Sequence, residues 1–199
     1  MARFLIDLSA WARSGHPDAQ ERWAELLEAD CLLCHPVFAV EALHNATNPA
    51  DYRRLREDLA KGIDWVWPDG DAAMSAVRMQ HKMATSAPTA QRVKTADLLI
   101  AALAVHHDVG VLHYDSDYDV IRDRGGESFQ SEWLAKRGSL EGDDELAASA
   151  RKAYSKAFGR RMVQLQNDAD LEVWPELIEW MDDQLRERGL DLPPPPNLP

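Results

Sequence analysis

The chain has 199 residues, 45% of them hydrophobic, which is enough to bury one full domain plus an appendage and excludes a peptide-sized module. A formal net charge of -12 argues against nonspecific nucleic-acid binding through a broadly basic surface. No apolar run reaches the roughly 20 residues of a membrane span, Met1 to Leu8 lacks a secretory pattern, and the only cysteines, Cys31 and Cys34, have no second pair to complete a zinc site, so a reducing cytoplasm fits best.

Phe4-Leu5-Ile6 reads as a buried first strand ending at Asp7, with a helix following from about Ser9 and broken by the Gly15-His16-Pro17 turn. Asp18 is expected to cap a second helix with Trp23, Leu26 and Leu27 on one face, and Cys31 to Cys34 is expected to form a second strand. Pro36 suits the first turn of a helix carrying Phe38, Val40, Glu41 and Leu43, which Asn48-Pro49 ends. Tyr52 to Lys61 is helical in pattern, Ile63 to Val66 a short strand, Asp71 to Met83 helical again, and Ser86 to Thr89 a loop.

Ala96 to His106 is apolar nearly all round, as a helix buried against a sheet would be. Gly110 to Tyr114 gives another strand, then an acidic turn, Asp115-Ser116-Asp117-Tyr118-Asp119, and residues 126–139 form a closing segment that packs Phe129, Trp133 and Leu134 on the domain. Strands alternating with helices predict an α/β fold with a parallel-rich sheet covered on both faces.

The charges divide at residue 139 into 15 basic and 21 acidic before it, and 7 basic and 13 acidic after it, so the first part holds acids that need individual explanation. Four sit where a solvated face would not place them. Asp7 and Asp115 directly follow strands, Glu41 is embedded in Phe38-Ala39-Val40-Glu41-Ala42-Leu43, and Asp97 opens an apolar helix. Ligands of open α/β sheets collect at the carboxyl ends of the strands, where Asp7 and Asp115 are expected to meet. Carboxylates gathered in one pocket repel each other unless a cation neutralises them, and an all-oxygen site favours Mg²⁺ or Mn²⁺. Such an ion activates water and stabilises phosphorane charge, which points to phosphodiester hydrolysis. The structural alternatives are a helix N-terminal role for Asp97 with Thr95 as its cap, and turn or cap roles for Asp7 and Asp115. Arg92, Lys94, Arg78 and Lys82 are candidate phosphate contacts or ordinary solvated charges, and the histidines show no metal-ligand spacing.

Phe4-Leu5-Ile6-Asp7-Leu8-Ser9, Val40-Glu41-Ala42, Thr95-Ala96-Asp97-Leu98-Leu99-Ile100-Ala101-Ala102 and His113-Tyr114-Asp115-Ser116-Asp117-Tyr118-Asp119-Val120-Ile121 resemble, in order and spacing, the successive motifs of PIN-domain ribonucleases of the VapC toxin type. The resemblance covers roughly residues 2–139. It implies a three-layer α/β/α fold, usually dimeric, with Asp7, Glu41, Asp97 and Asp115 as an acidic Mg²⁺ or Mn²⁺ site and Asp117 as a fifth member. It also implies an RNA substrate and a cognate antitoxin that holds the enzyme inactive. Ser9 stands where the family commonly has a small hydroxyl residue, and a helix cap is the other reading of it. Asp119 is expected on the solvent side of the following helix.

The domain division that follows is a nuclease domain over residues 1–139 and a helical extension with a Pro-rich tail over residues 140–199, beyond the usual end of such a toxin. The extension clusters Arg151, Lys152, Lys156, Arg160 and Arg161 beside an apolar face. Extra packing or a larger dimer interface is the simpler reading of it, and inhibition in cis the other. Two rivals from other classes are a noncatalytic PIN-like binding module, which would lack one of the four acids, and a small α/β phosphatase, which would need a second acid two residues after Asp7, where Ser9 stands.

Overall fold

The computed structural model describes residues 2–87 and 89–140. Five short strands, β1 (Phe4–Ile6), β2 (Leu32–Cys34), β3 (Asp64–Trp65), β4 (Gly110–His113) and β5 (Gln130–Trp133), form one sheet in the order β3-β2-β1-β4-β5. Every pairing is parallel. Successive side chains leave opposite faces of a strand, and both faces are covered here. Phe4, Ile6, Leu32, Cys34 and Leu112 belong to one core, while Leu5, Leu33 and Val111 belong to the other.

The first core is closed by α1 (Leu8–Trp11), α2 (Pro17–Glu28), α3 (Pro36–His44) and α4 (Pro49–Gly62). The second is closed by α5 (Gly70–Ser86), α6 (Thr95–His107) and α7 (Asp117–Arg124). The result is the expected three-layer α/β/α arrangement with a parallel sheet. β4 passes so close to β1 that a Cβ at Gly110 would overlap the Phe4 ring, so glycine alone fits there. Among the described residues, no helix is long and apolar enough to cross a membrane.

Several local expectations shift. The α2 cap is His16, whose side chain accepts from the Asp18 N–H at 3.1 Å with Pro17 at the first helical position, so Asp18 is a first-turn acid and not the cap. Asn48 does not end α3, which stops at His44; it starts α4 by accepting from the N–H groups of Ala50 and Asp51. Val40 lies on α3 but is 68% exposed, outside the packed face made by Phe38, Ala39, Ala42 and Leu43. The closing segment contributes a fifth strand, β5, which pairs with β4 along Gly110↔Gln130 to His113↔Trp133. The final turn packs Leu134 and Leu140 into the first core, and Leu140 donates its backbone N–H to the Tyr114 hydroxyl at 2.8 Å. The extension beyond it lies outside the described residues.

Candidate metal centre

β1 and β4 are neighbours although the chain makes two further strands between them, so the sheet changes winding direction where their carboxyl ends lie side by side. That crevice is where an open α/β sheet binds ligands. Asp7 follows β1, and its backbone N–H donates to Leu112 O of β4 at 3.0 Å. Asp115 leaves β4 by the Tyr114 step, Asp97 enters from the first turn of α6, and Asp117 opens α7.

Asp97, Asp115 and Asp117 each present a carboxylate oxygen within 4.8 Å of the others'. Asp7 and Glu41 are outside that set but share its field. Asp7 raises the pKa of both Asp97 and Glu41. Asp97 is 5% exposed, and burial, then repulsion by Asp7, Asp115 and Asp117, carries its pKa up to about 7 against the pull of Lys94. Its Oδ2 is buried without a hydrogen-bond partner. Burial, followed by Asp7, also raises Glu41, which α3 holds half-buried. Burial pushes Asp115 up too, but the hydrogen bond from Lys94 and the Asp117 N–H on its Oδ1 at 3.0 Å outweigh this and hold it below the usual carboxylate range.

Asp7 is held differently. It caps α1 through the Ser9 N–H at 2.8 Å, accepts the Ser9 hydroxyl on the same oxygen, and accepts the Tyr118 hydroxyl on the other at 2.8 Å. Ser9 Oγ in turn accepts the Tyr114 N–H at 2.9 Å, so one hydroxyl ties the β1 loop to the β4 loop. The cap of α1 is therefore Asp7, and Ser9, expected as a possible cap, lies inside the helix and braces the Asp7 carboxylate instead.

Tyr118 had not been singled out by sequence. It is fully buried against the second core, and burial followed by the charges of Asp7 and Asp97 raises its pKa well above the ordinary value, so it stays a donor. Its only sequence signal is an aromatic residue inside an acidic turn.

Two further buried side chains, His35 and His113, carry the loops. His35 bridges Ile6 O, at 3.0 Å from its Nε2, and the Phe38 N–H, at 3.2 Å from its Nδ1, at the start of α3. His113 bridges Ser131 Oγ at 2.7 Å and the Asp115 N–H at 3.2 Å. In each ring, Nδ1 accepts a backbone N–H, so the neutral form carries its proton on Nε2. Burial is the leading cause that takes both pKa values down to about 4. Cys31 and Cys34 are free and buried, and burial pushes the Cys34 thiol well up.

Lys94 precedes α6. Its ammonium pairs with Asp115 Oδ2 and lies 3.8 Å from Asp97 Oδ2, while its backbone N–H donates to Asp117 Oδ2 at 3.3 Å. Arg78 is taken up by Glu127 at 3.2 Å. Asp119, expected to face solvent, is half-buried and receives Trp133 Nε1, Arg122 and Arg137. Arg13 lies over the Tyr114 ring, 4.9 Å from its centroid.

The PIN domain model matches residues 4–124, more than half of the chain. The chain belongs to the PIN domain family. Ribonuclease VapC18 of Mycobacterium tuberculosis is 34% identical over 139 residues, covering 69% of this chain and 98% of that protein. Ribonuclease VapC51 of the same organism is 27% identical over 139 residues, covering 70% and 98%. The PIN fold of this chain also superposes on a chain of DNA-bound VapBC from Salmonella typhimurium, with a TM-score of 0.54 at 15% identity, covering 68% of this chain and 100% of that one. At that identity the likeness concerns the fold alone.

The residues of the PIN site suit a hard divalent cation. The clustered donors are all carboxylate oxygens, Asp97 Oδ2 is buried without a hydrogen bond, and Asp7, Asp115 and Asp117 all raise the pKa of Asp97, a repulsion that a cation would relieve.

Proposed function

We propose that this chain is a metal-dependent endoribonuclease, the toxin component of a toxin–antitoxin pair, which hydrolyses RNA phosphodiester bonds at the carboxyl ends of β1 and β4. The observation that carries the reading is the coincidence of two facts. VapC ribonucleases align with this chain over 98% of their own length, and the topological crevice of the same domain holds three carboxylates, one with a buried oxygen that accepts no hydrogen bond.

Asp97, Asp115 and Asp117 would hold Mg²⁺ or Mn²⁺, with Asp7 and Glu41 flanking them. A bound divalent ion would supply charge neutralisation and Lewis acidity toward the scissile phosphate. The chain's own residues do the remaining work. Ser9 and Tyr118 fix the Asp7 carboxylate, and His113 and the Asp117 N–H fix Asp115. In this reading Glu41, outside the three-oxygen set and with its pKa raised by burial and by Asp7, would accept the proton of the attacking water as the water oxygen bonds to phosphorus, while the ribose oxygen departs and takes its proton from solvent. Hydrolysis needs no other acid or base from the histidines, which are held neutral and fully occupied.

RNA is the substrate, a cognate antitoxin the regulatory partner, and a second copy of the chain the expected oligomeric partner. Residues 1–139, with Leu140 closing the first core, form the nuclease unit, and the residues beyond are an appended segment. The test is cleavage of total RNA by purified protein with Mg²⁺, with Mn²⁺ and with EDTA, alongside Asp115→Asn. Discrete fragments that vanish with chelator and with the substitution support the reading. Folded, metal-supplemented protein that cuts nothing, even after removal of residues 141–199, would favour a noncatalytic binding module instead.

A further inference from the structure

A cation in the first turn of a helix opposes the helix dipole, yet Lys94 occupies the N-cap of α6 and supplies no side-chain cap hydrogen bond. Serine, aspartate or asparagine would serve the helix better at that position. A residue that breaks a local rule needs a compensating contact elsewhere, and Lys94 finds it in the acid cluster. Its ammonium pairs with Asp115 and approaches Asp97, and its main chain binds Asp117, which are the three carboxylates gathered within 4.8 Å. The Lys94 side chain is 64% exposed whereas that of Asp97 is 7% exposed, so the lysine has solvent to swing into and the aspartate does not.

We propose that Lys94 is a tethered counter-ion that occupies the carboxylate cluster in the metal-free protein, yields it to the incoming divalent ion, and then contacts a backbone phosphate of the RNA at the mouth of the site. The inference rests on the metal-nuclease reading above. A lysine ammonium is a compact point charge on a flexible stem, so it neutralises part of the cluster without filling a coordination shell. An ammonium and a divalent ion compete for the same oxygens, because like charges at close distance repel in a partly buried site. The lysine therefore keeps the empty site from being a cluster of uncompensated carboxylates and lowers the apparent affinity for metal by the fraction of time it spends in place. After displacement its flexible, exposed stem leaves the ammonium free to meet a phosphate at the mouth of the site.

The experiment is calorimetric titration of the full chain with Mn²⁺ and with Mg²⁺, for the wild type and Lys94→Met, together with thermal unfolding in EDTA and the KM for RNA at saturating Mg²⁺. If the lysine occupies the site about nine-tenths of the time, its removal tightens metal binding about tenfold. Lys94→Met should also unfold at a lower temperature without metal and show a raised KM, while Lys94→Arg keeps the KM near the wild-type value. Equal or weaker metal binding by Lys94→Met overturns the counter-ion role while leaving the metal site standing, and an unchanged KM overturns the phosphate contact. Absence of binding to either protein overturns the metal reading itself and this inference with it. Should Lys94→Met fail to fold, Lys94→Gln carries the same titration.

Discussion

Replacing Asp97 by Asn should stabilise the metal-free protein at alkaline pH, at the same position where it destroys the proposed metal site. The carboxyl is 5% exposed, and its pKa rises from 3.8 to about 7, chiefly because burial disfavours the charge and secondarily because Asp7, Asp115 and Asp117 repel it. The unfolded chain loses this proton near 3.8 and the folded chain keeps it until about 7. The penalty is therefore absent below the lower value, grows as pH rises between the two, and is complete above the upper one.

A shift of roughly three pH units at about 1.4 kcal/mol each sets a ceiling on the order of 4 kcal/mol. Asn reproduces the neutral carboxyl's shape and cannot ionise. With relaxation of the site, a gain of about 1–4 kcal/mol is expected at pH 8 in EDTA, or several degrees in Tm for a chain of this size. The assay is thermal and urea unfolding of both proteins in EDTA at pH 8 and pH 4.5. A gain at pH 8 that shrinks strongly at pH 4.5 bears out the reasoning. No gain, or the same gain at both values, refutes the claim that Asp97 is held ionised at a cost in the empty site.

Tyr118→Phe removes the donor on Asp7 Oδ1 and should cost about 1–3 kcal/mol in urea unfolding, with slower RNA cleavage. His35 has its pKa lowered from 6.5 to about 4, mainly by burial, so the stability tied to its neutral form is present above pH 6.5 and lost as pH falls toward 4. His35→Gln should flatten that part of the urea-midpoint profile by up to about 3 kcal/mol. Mg²⁺ at about a hundred times its Kd should add about 2.7 kcal/mol to the wild type, and EDTA should remove it. In Asp115→Asn, the same thermal scans should show little metal effect. A chain ending at Leu140 should keep the circular dichroism and cooperative melting of a folded domain, since Leu140 closes the first core.

The acids were legible because they violate composition locally. A carboxylate directly after Phe4-Leu5-Ile6, or inside the apolar α3 and α6 segments, stands out against its surroundings, and parallel α/β topology then fixes which strand ends converge. β5 was not legible as a strand. Gln130-Ser131-Glu132-Trp133 is an edge strand whose side chains are partly exposed, and Glu132 is satisfied by Arg22, a partner 110 residues away, so no hydrophobic period survives. β3, two residues long, offered barely more pattern.

Lys94 read only as a phosphate contact or an ordinary charge because its pairing depends on Asp115, 21 residues on, which the fold brings within reach. Tyr118 and the two histidines were hidden for the same reason: each acts by bridging loops that are distant in sequence. The cap of α2 was misplaced by two residues because His16, through Nδ1, does what Asp18 was expected to do.

The measurement that bears most directly on the central claim is anomalous diffraction from crystals of the protein soaked in Mn²⁺. A peak bounded by carboxylate oxygens of Asp97, Asp115 and Asp117, with the Lys94 ammonium moved away from Asp115, is the predicted result. No peak there, or an ion bound elsewhere with Lys94 still paired to Asp115, would contradict the account.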